Sequence, residues 1–474
     1  MEDNSETVTA NLSKVFDIYK NVGILDYTTI IENIAFFAVR WHFKKKNMLM
    51  GKPKTAVELE KMLITEDVIQ SVHGKQFSSA QLIVPSEPTQ FQQSQFDEVA
   101  YLIEEILDNV SDPAEWFNSD LIPLLNVSAR GGRYPTPRHL THFMANLIQV
   151  HKDDELADLA CGTGGFLVAG GLVERAIGVE ISPNFMRIAF ANLVLHNQFR
   201  RDLHLGDLFY MVNRYMTRKP EYSAILMNPP FGSTIEASFI EETFGGKMTG
   251  KSETLFTSLA YEKLKPSGRM AVLVPSGVLF SSGSGETFIR KMLIEDGALR
   301  AVISLPRDSM QPASSLDTHV LYAVKSRAED QVGGVWFYRP RFDGFIGKRN
   351  REPSSPNDLP LVQAACRVNV SDKRKVQVFP LKIDGSVEGY QIITESSENF
   401  VVHKLGGGYL IEVSEKGNTT ELINVSGESI FRGKSNLVPL ANKLQPEKEI
   451  SGNFKAQPFS EYSHHSSPEQ FFSL

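Results

Sequence analysis

The spacing of apolar residues changes along the chain and divides it into three parts. From about residue 13 to residue 107, apolar side chains recur at helical spacing, as in Val99, Leu102 and Ile106, which predicts a helical N-terminal domain. From about residue 156 to residue 325, short apolar runs alternate with helical segments. These runs are LADLA, AIGVEI, DLHLGD, SAILMN, RMAVLVP, ALRAVISLP and THVLYAVK. The remaining sequence mixes strand-like runs such as VWFYRP and GGGYLIEV with connections such as EPSSPNDLP.

The middle part predicts an α/β fold. Seven apolar strands separated by helices indicate βαβ units and a doubly wound, Rossmann-like, mostly parallel sheet. In open sheets of this kind, ligands bind outside the carboxyl ends of the strands, so functional residues are expected to follow strands. The predicted domains are a helical N-terminal domain over 1–125, the sheet domain over 126–350, a mixed C-terminal region over 351–445 and a flexible polar tail over 446–474.

Composition narrows the class of protein. The 474 residues are 42% hydrophobic, which is ordinary for a globular protein of two or three domains. Cys161 and Cys366 are the only cysteines, so the sequence predicts a reducing cytoplasm and neither a disulfide framework nor a multi-cysteine metal site. The first residues, MEDNSETVTA, do not resemble a secretory signal, and the apolar run around Ile34 is too short to cross a membrane.

Two basic stretches are candidates for nucleic-acid contact. The formal net charge of -7 argues against a basic coat over the whole surface but leaves room for one basic face. For RWHFKKK, residues 40–46, a solvated helix face is the favoured reading. YRPRFDGFIGKRNR either follows phosphates or forms a solvated loop. Its basic residues are Arg339, Arg341, Lys348, Arg349 and Arg351.

A glycine-rich turn follows the first predicted strand, in DLACGTGGFL from Asp158 to Leu167. Glycines at 162, 164 and 165 let the backbone turn tightly and approach a ligand, although tight strand-to-helix turns use glycine anyway. This turn has no G-x-x-x-x-G-K pattern, and Asp158 would repel a pyrophosphate. The turn therefore suits a nucleoside-like ligand that carries a cation or an amine.

Polar residues close the next three strands as well. Glu180 stands 22 residues after Asp158, where doubly wound folds place a carboxylate against ribose hydroxyls. Asp207 could accept a hydrogen bond from an adenine amino group, with Phe209 covering the ring, and Asn228 closes the fourth strand. Each could be an ordinary turn residue, but the series of four predicts one pocket.

The fourth strand ends in LMNPPFG. Proline removes backbone donors and makes the preceding residue extended, so this stretch predicts a rigid, protruding turn. Asn228 would present a side-chain carbonyl there, beside backbone carbonyls with few local donors and the flat face of Phe231. Such a turn could hold a planar amine, or it could be an ordinary Pro-rich turn.

These motifs carry a family resemblance. In order, DLACGTGGF, GVEISPNFMRIAFANLVLHN, GDLF and NPPF resemble the donor and catalytic motifs of class I S-adenosylmethionine-dependent N6-adenine DNA methyltransferases. The sequence is most similar to the modification subunit of type I restriction-modification systems, over roughly residues 10–350. GGRYPTPRHL resembles the segment before the donor site but has Arg133 and Pro135 where the family has an acidic and an aromatic residue. The segment DSMQPASSLDTHV also differs from the family's loop, so contacts of that loop are not carried over.

The resemblance implies roles for particular residues. Asp158 and the glycines would line the methionine part of S-adenosylmethionine, Glu180 its ribose and Asp207 its adenine. Thr136 and Pro137, more than Tyr134, would close over the methionine end. The complete set expected around the donor is Tyr134, Thr136, Pro137, Asp158, Cys161, Gly162, Thr163, Gly164, Gly165, Glu180, Asp207 and Leu208. The set expected around the target base is Asn228, Pro229, Pro230 and Phe231.

The implied activity is methyl transfer to the N6 amine of a flipped adenine in DNA, without a metal. The implied partners are DNA, a separate specificity subunit and a restriction subunit. Two alternatives stay open: a methyltransferase acting on RNA or on a protein glutamine, and a catalytically retired fold that binds DNA or a protein partner in a defence complex. The intact Asp158 and Asn228 argue against the retired fold.

Overall fold

The computed structural model describes most of the first 366 residues and the backbone of seven later strands. The described ranges are 2–46, 91–127, 134–198, 202–214, 221–244, 250–312, 314–325, 335–347, 351–360, 362–363 and 366, with the strands between 376 and 466. The chain divides into two compact units. The first comprises 1–138, 150–222 and 227–247, and the second comprises 139–149, 223–226 and 248–474.

The first unit begins with helices, as the apolar spacing predicts. They are α1 (Glu2–Asn21), α2 (Tyr27–Lys45), α3 (Gln93–Asn109) and α4 (Pro113–Trp116), followed by a π-helix (Phe117–Leu121) and a 3₁₀ helix (Ile122–Val127). The Asp26 carboxylate caps α2 by accepting a hydrogen bond from the Thr29 amide at 2.9 Å. Helix α2 is buried on almost every side because α3 packs against it on one side and a helix of the sheet region in the same unit, residues 183–195, packs on another.

Three parallel strands form the sheet region of the first unit. They are β1 (Glu155–Asp158), β2 (Arg175–Glu180) and β3 (Asp202–Leu205), with β2 in the centre. The connecting helices are α6 (Gly165–Ala169) and α7 (Pro183–Leu195), and α8 (Leu208–Arg214) follows β3; α5 (Arg138–Leu147) precedes β1. Since parallel strands end on the same edge, the residues after β1, β2 and β3 face one region.

The second unit holds the rest of the predicted strands. β5 (Leu264–Pro275), β7 (Thr318–Val324), β6 (Leu299–Ser304) and β8 (Val335–Tyr338) lie side by side in that order. β7 is antiparallel to β5 and β6, whereas β6 and β8 are parallel. The helices here are α10 (Ser252–Lys263), α11 (Ser276–Phe280) and α12 (Ser284–Glu295), and α9 (Ala237–Phe244) belongs to the first unit. β4 (Tyr222–Met227) contributes its end residues to the first unit and 223–226 to the second, so all seven predicted strands occur.

The C-terminal part contains more strands than the sequence indicated. The connection EPSSPNDLP includes β10 (Glu352–Asn357), which pairs with β9 (Asp343–Ile346) in a two-stranded sheet. The expectation of a plain connection is wrong there, because both strands of such a sheet are edge strands and tolerate proline. Six further strands form an antiparallel sheet: β11 (Val376–Ile383), β12 (Ser386–Thr394), β13 (Asn399–Leu405), β14 (Gly408–Ser414), β15 (Thr419–Asn424) and β16 (Ser429–Lys434).

Within the predicted tail, β17 (Ser463–Ser466) pairs with β8, and the other tail residues lie outside the described ones. In the described part of the chain, no helix combines the length and hydropathy needed to cross a membrane.

Candidate functional site

The glycine-rich turn after β1 has the geometry that its glycines predict. Gly162 and Gly164 adopt φ values of +53° and +80°, a left-handed region that favours glycine. A Cβ on Gly164 would also lie 3.3 Å from the Cβ of Ala189 in α7. The turn is held to β2 because the Cys161 amide donates to the Val179 carbonyl at 2.9 Å. The backbone of this turn is therefore fixed and has no side chain at Gly162 or Gly164.

Asp158 ends β1 as a buried carboxyl group with an unused acceptor. Its side chain is 1% exposed, and its Oδ1 accepts a hydrogen bond from the Ala160 amide at 3.2 Å. Its Oδ2 is buried and has no hydrogen-bond partner. Burial, and secondarily the nearby Glu180, raises the pKa of Asp158 to about 8. A cation or an N–H donor placed here would supply the partner that this carboxyl group lacks.

Glu180 ties the end of β2 to the glycine turn. Its Oε2 accepts a hydrogen bond from the Gly162 amide at 3.0 Å, and its Oε1 accepts one from the Ser182 amide at 2.7 Å. Ser182 in turn caps α7. A carboxylate oxygen can accept more than one hydrogen bond, so these contacts orient Glu180 without exhausting it. The structure thus brings Asp158, Gly162 and Glu180 together as predicted.

The end of β3 differs in part from expectation. Asp207 Oδ1 caps α8 by accepting hydrogen bonds from the amides of Phe209 and Tyr210 at 2.9 and 3.0 Å. The prediction that Phe209 covers a ligand ring is wrong, since Phe209 is fully buried and packs edge-to-face on Phe244 with 6.5 Å between ring centroids. Leu208 is also buried. Phe209 and Leu208 lie in the first turn of α8, which points both side chains into the core. The sequence pattern of an acidic residue followed by an aromatic one does not show this direction.

The turn after β4 presents one polar atom without a partner. The Asn228 Nδ2 donates a hydrogen bond to the Thr136 Oγ at 3.0 Å. The Asn228 Oδ1 is buried and accepts no hydrogen bond. Pro229 is buried, Phe231 is half-buried, and Gly232 ends the turn with a φ of +71°. The turn is therefore built to offer a carbonyl oxygen to an incoming donor, beside a partly accessible aromatic ring.

The other predicted site residues lie beside Thr136 or within the glycine turn. Tyr134 and Pro137 are half-buried and flank Thr136. Cys161 is buried, and burial together with the carboxyl groups of Asp158 and Glu180 raises the pKa of its thiol well above the usual range. This thiol is therefore protonated and inert near neutral pH.

Two residues of this region were missed by sequence reasoning. Asn192 on α7 is fully buried, and its Nδ2 donates a hydrogen bond to the Thr163 carbonyl of the glycine turn at 3.0 Å. The sequence feature that could have identified it is an amide side chain among the apolar residues of a helix. Ile181 directly follows Glu180 and is 54% exposed. The sequence feature that could have identified it is an apolar residue just beyond the end of a strand.

Two lysines of the first basic stretch pair with acidic residues of α3. Lys44 and Lys45 on α2 form ion pairs with Glu104 and Asp108 on α3 at 2.7 and 2.9 Å. The Trp41 indole also donates to Asp108, at 2.7 Å. The expected solvated helix face is therefore found at residues 44–46, whereas Arg40 and His42 of the same stretch are buried.

Arg351 pairs within the chain. Its side chain is 9% exposed and forms a bidentate pair with Asp343 at 2.7 and 2.9 Å, and it also donates to two backbone carbonyls. Neither reading of this stretch, phosphate contact or a solvated loop, includes this ion pair, which forms where β9 and β10 pair. Arg339 and Arg341 are exposed, and Lys348 and Arg349 lie outside the described residues.

The sequence matches a family of DNA methylases. The family model described as N-6 DNA Methylase matches residues 108–365, more than half of the 474-residue chain. The methylase subunit of the type I restriction enzyme EcoEI of Escherichia coli is 31% identical over 253 residues, which is 48% of this chain and 49% of that protein. The corresponding EcoKI subunit of Escherichia coli K12 is 29% identical over 237 residues, 44% of each chain. The chain thus spans about half the length of the curated relatives it matches.

Solved structures establish the fold. A modification subunit assigned to a type I restriction enzyme of Vibrio vulnificus superimposes with a TM-score of 0.57 at 16% identity, over 82% of this chain and 92% of that one. The methyltransferase subunit of a type I restriction-modification system of Streptococcus thermophilus gives a TM-score of 0.53 at 19% identity, over 82% and 95%. The predicted fold class, a mostly parallel α/β sheet with helices between its strands, is confirmed.

Proposed function

The chain belongs to the N-6 DNA methylase family, and we propose that it transfers a methyl group from S-adenosylmethionine to the N6 amine of an adenine flipped out of DNA. The observation that carries the proposal is the buried, unpartnered Oδ1 of Asn228 in the NPPF turn. We further propose that Asn228 and the strand ends of β1, β2 and β3 serve one pocket. The relatives named as type I methylase subunits support a role as a modification subunit.

The residues at the strand ends fit the donor. S-adenosylmethionine supplies an electrophilic methyl group on a positively charged sulfur, together with a methionine ammonium and an adenosine. The unpartnered Oδ2 of Asp158 would accept the ammonium, whose charge would ionise this carboxyl group. The glycine turn would lie along the methionine chain without a Cβ at Gly162 or Gly164, as Tyr134, Thr136 and Pro137 approach from the other side.

The nucleoside part would lie across the ends of β2 and β3. Glu180 would accept hydrogen bonds from the ribose hydroxyls while it keeps its backbone contacts to Gly162 and Ser182. Asp207 would accept from the adenine amino group. Ile181, exposed beside Glu180, offers the apolar surface that Phe209 cannot.

The acceptor end has a simple task. The adenine amine is a poor nucleophile because its lone pair is delocalised into the ring. Asn228 Oδ1 and the Pro229 carbonyl would accept its two hydrogens, favour a pyramidal nitrogen and aim the lone pair at the methyl carbon. Bound S-adenosylmethionine would supply the methyl group: the nitrogen lone pair would form the new bond to carbon, and the electrons of the carbon–sulfur bond would stay with sulfur. The nitrogen would then lose one proton to solvent.

Phe231 would help to hold the flipped base. Extruding a base from a duplex costs a few kcal/mol of unstacking. Stacking on an aromatic side chain returns about 1–3 kcal/mol per base. The half-buried ring of Phe231, next to Asn228 and after the rigid Pro229–Pro230 pair, leaves a face for this contact.

We infer that the chain works with DNA, with a separate specificity subunit and with a restriction subunit. The type I names of its relatives support this inference. The described exposed arginines Arg339 and Arg341 are candidates for phosphate contact, which positions DNA without reading its sequence.

Transfer of labelled methyl groups tests the proposed activity. The purified chain, alone and with the proteins encoded beside it, is incubated with S-adenosylmethionine labelled in the methyl group and with unmethylated duplex DNA, RNA or protein. We expect label in duplex DNA, at adenine N6, and none with Asn228→Ala. Label in RNA or protein alone would favour the alternative substrates, and donor binding that is absent in every preparation would favour a retired fold.

A further inference from the structure

The hydrogen bond between Thr136 and Asn228 gives Thr136 a task that its expected place over the methionine does not include. We propose that Thr136 is a positioning residue for methyl transfer: its hydroxyl oxygen holds the Asn228 Nδ2 and thereby points Oδ1 at the target amine. This inference rests on the proposed function. It adds a residue that acts through Asn228 rather than on the donor.

The need for such a residue follows from the chemistry of an amide side chain. The two ends of an Asn amide have nearly the same shape, and the torsion that exchanges them has no strong preference. Pro229 and Pro230 fix the backbone of the turn but leave this torsion free. If the amide turned over, the Nδ2 hydrogens would face the hydrogens of the adenine amine, and only the Pro229 carbonyl would remain as an acceptor.

Thr136 contacts the Nδ2 end of this amide. In the described structure the Nδ2 to Oγ distance is 3.0 Å, and Oδ1 is left buried with no partner. The hydroxyl oxygen accepts from Nδ2, and its own hydrogen stays available for another acceptor. Thr136 and Asn228 belong to the same compact unit although 92 residues separate them in sequence. The segment before the donor site therefore reaches the catalytic turn directly.

The two possible tasks of Thr136 predict different kinetics. A residue that closes over the methionine mainly changes the affinity for the donor. A residue that orients Asn228 changes the rate of transfer from the bound complex and leaves donor affinity nearly unchanged. The methyl group of threonine could close over the methionine, but only the hydroxyl oxygen can accept a hydrogen bond from Asn228.

Three variants separate these tasks in the full-length chain, assayed with whatever partner proteins the wild-type activity requires. Thr136→Val keeps the shape and removes the hydroxyl, Thr136→Ser keeps the hydroxyl, and Thr136→Ala tests the site if valine packs poorly. The readouts are the donor dissociation constant by calorimetry and the kcat and KM for duplex DNA by label transfer. We expect Thr136→Val to lower kcat about tenfold or more, with donor affinity within threefold, and Thr136→Ser to stay within about threefold of wild type in both.

Each other result overturns the proposal. An unchanged kcat in Thr136→Val and Thr136→Ala would show that the hydroxyl does not orient Asn228. A donor affinity that falls by the same factor as the activity, with kcat retained at saturating donor, would assign Thr136 to the methionine end instead. Failure of the proposed function is distinguishable, because the wild-type protein would then transfer no methyl group to DNA at all.

Discussion

Replacing Asp158 by Asn tests the account of the donor site through the stability of the empty protein. The pKa of Asp158 is raised from 3.8 to about 8 because the carboxyl group is buried, with one oxygen unpartnered. Between these two values the folded protein keeps a proton that the unfolded chain has lost. The free energy of unfolding therefore falls as the pH rises from about 4 to about 8, and this loss is absent below the ordinary pKa.

The size of the effect follows from the shift. At 1.36 kcal/mol per pKa unit, a shift of about four units sets an upper limit of about 5 kcal/mol at pH 8 and about 2 kcal/mol at pH 5. Asn has nearly the same shape and no proton to lose. Asp158→Asn should therefore gain stability relative to wild type, by about 2–3 kcal/mol more at pH 8 than at pH 5, while donor binding is lost.

Urea unfolding at several pH values between 4.5 and 8, without donor, measures this difference. Asp207→Asn is a matched control, since it removes a strand-end carboxyl group that is only half-buried and caps α8. Parallel pH profiles for wild type and Asp158→Asn, or an Asp158→Asn protein that is less stable at pH 8, would refute the reasoning. Unchanged donor affinity would separately remove Asp158 from the site.

Three further predictions concern other contacts. Asn228→Ala should lower transfer at least 100-fold with donor affinity within a few-fold, measured by label transfer and calorimetry; equal losses of both would show that Asn228 serves the donor. Glu180→Ala should weaken donor binding by about 1–3 kcal/mol, since it loses hydrogen bonds to a charged group and frees the Gly162 amide; an unchanged dissociation constant would refute the ribose assignment. Arg351→Ala should cost about 3–5 kcal/mol of unfolding free energy in urea titrations, because the buried Asp343 loses its bidentate ion pair and keeps, among the described contacts, those to His139 and the Phe345 amide; a neutral result would contradict the importance of this ion pair.

Strand positions and the polar residues at their ends were accessible from sequence because both depend on local pattern. A buried parallel strand needs a short apolar run, and each run in the middle part is a strand in the structure. A left-handed turn needs glycine, which located Gly162 and Gly164. The family prediction, which relied on the order of these motifs, is confirmed by the family model. The predicted domain limits at 125, 350 and 445 stay predictions.

Side-chain direction and distant pairing were not accessible from local pattern. Phe209 follows an acid at a strand end, yet the start of α8 turns it into the core against Phe244. Arg351 stands in a basic stretch, but its partner Asp343 is an acid of the same stretch that becomes its neighbour only when β9 and β10 pair. Thr136 and Asn228 are 92 residues apart in sequence and form a hydrogen bond. The sequence motifs identified each residue as part of the site but did not predict the contact between them.

Modification-sensitive sequencing tests the central claim most directly. DNA is taken from a methylation-deficient host that expresses the wild-type chain, alone and with the proteins encoded beside it, and from a host that expresses Asn228→Ala with the same proteins. The account predicts N6-methyladenine at a defined motif with the wild-type chain and none with Asn228→Ala. The absence of N6-methyladenine in every wild-type sample, or its persistence with Asn228→Ala, would contradict it.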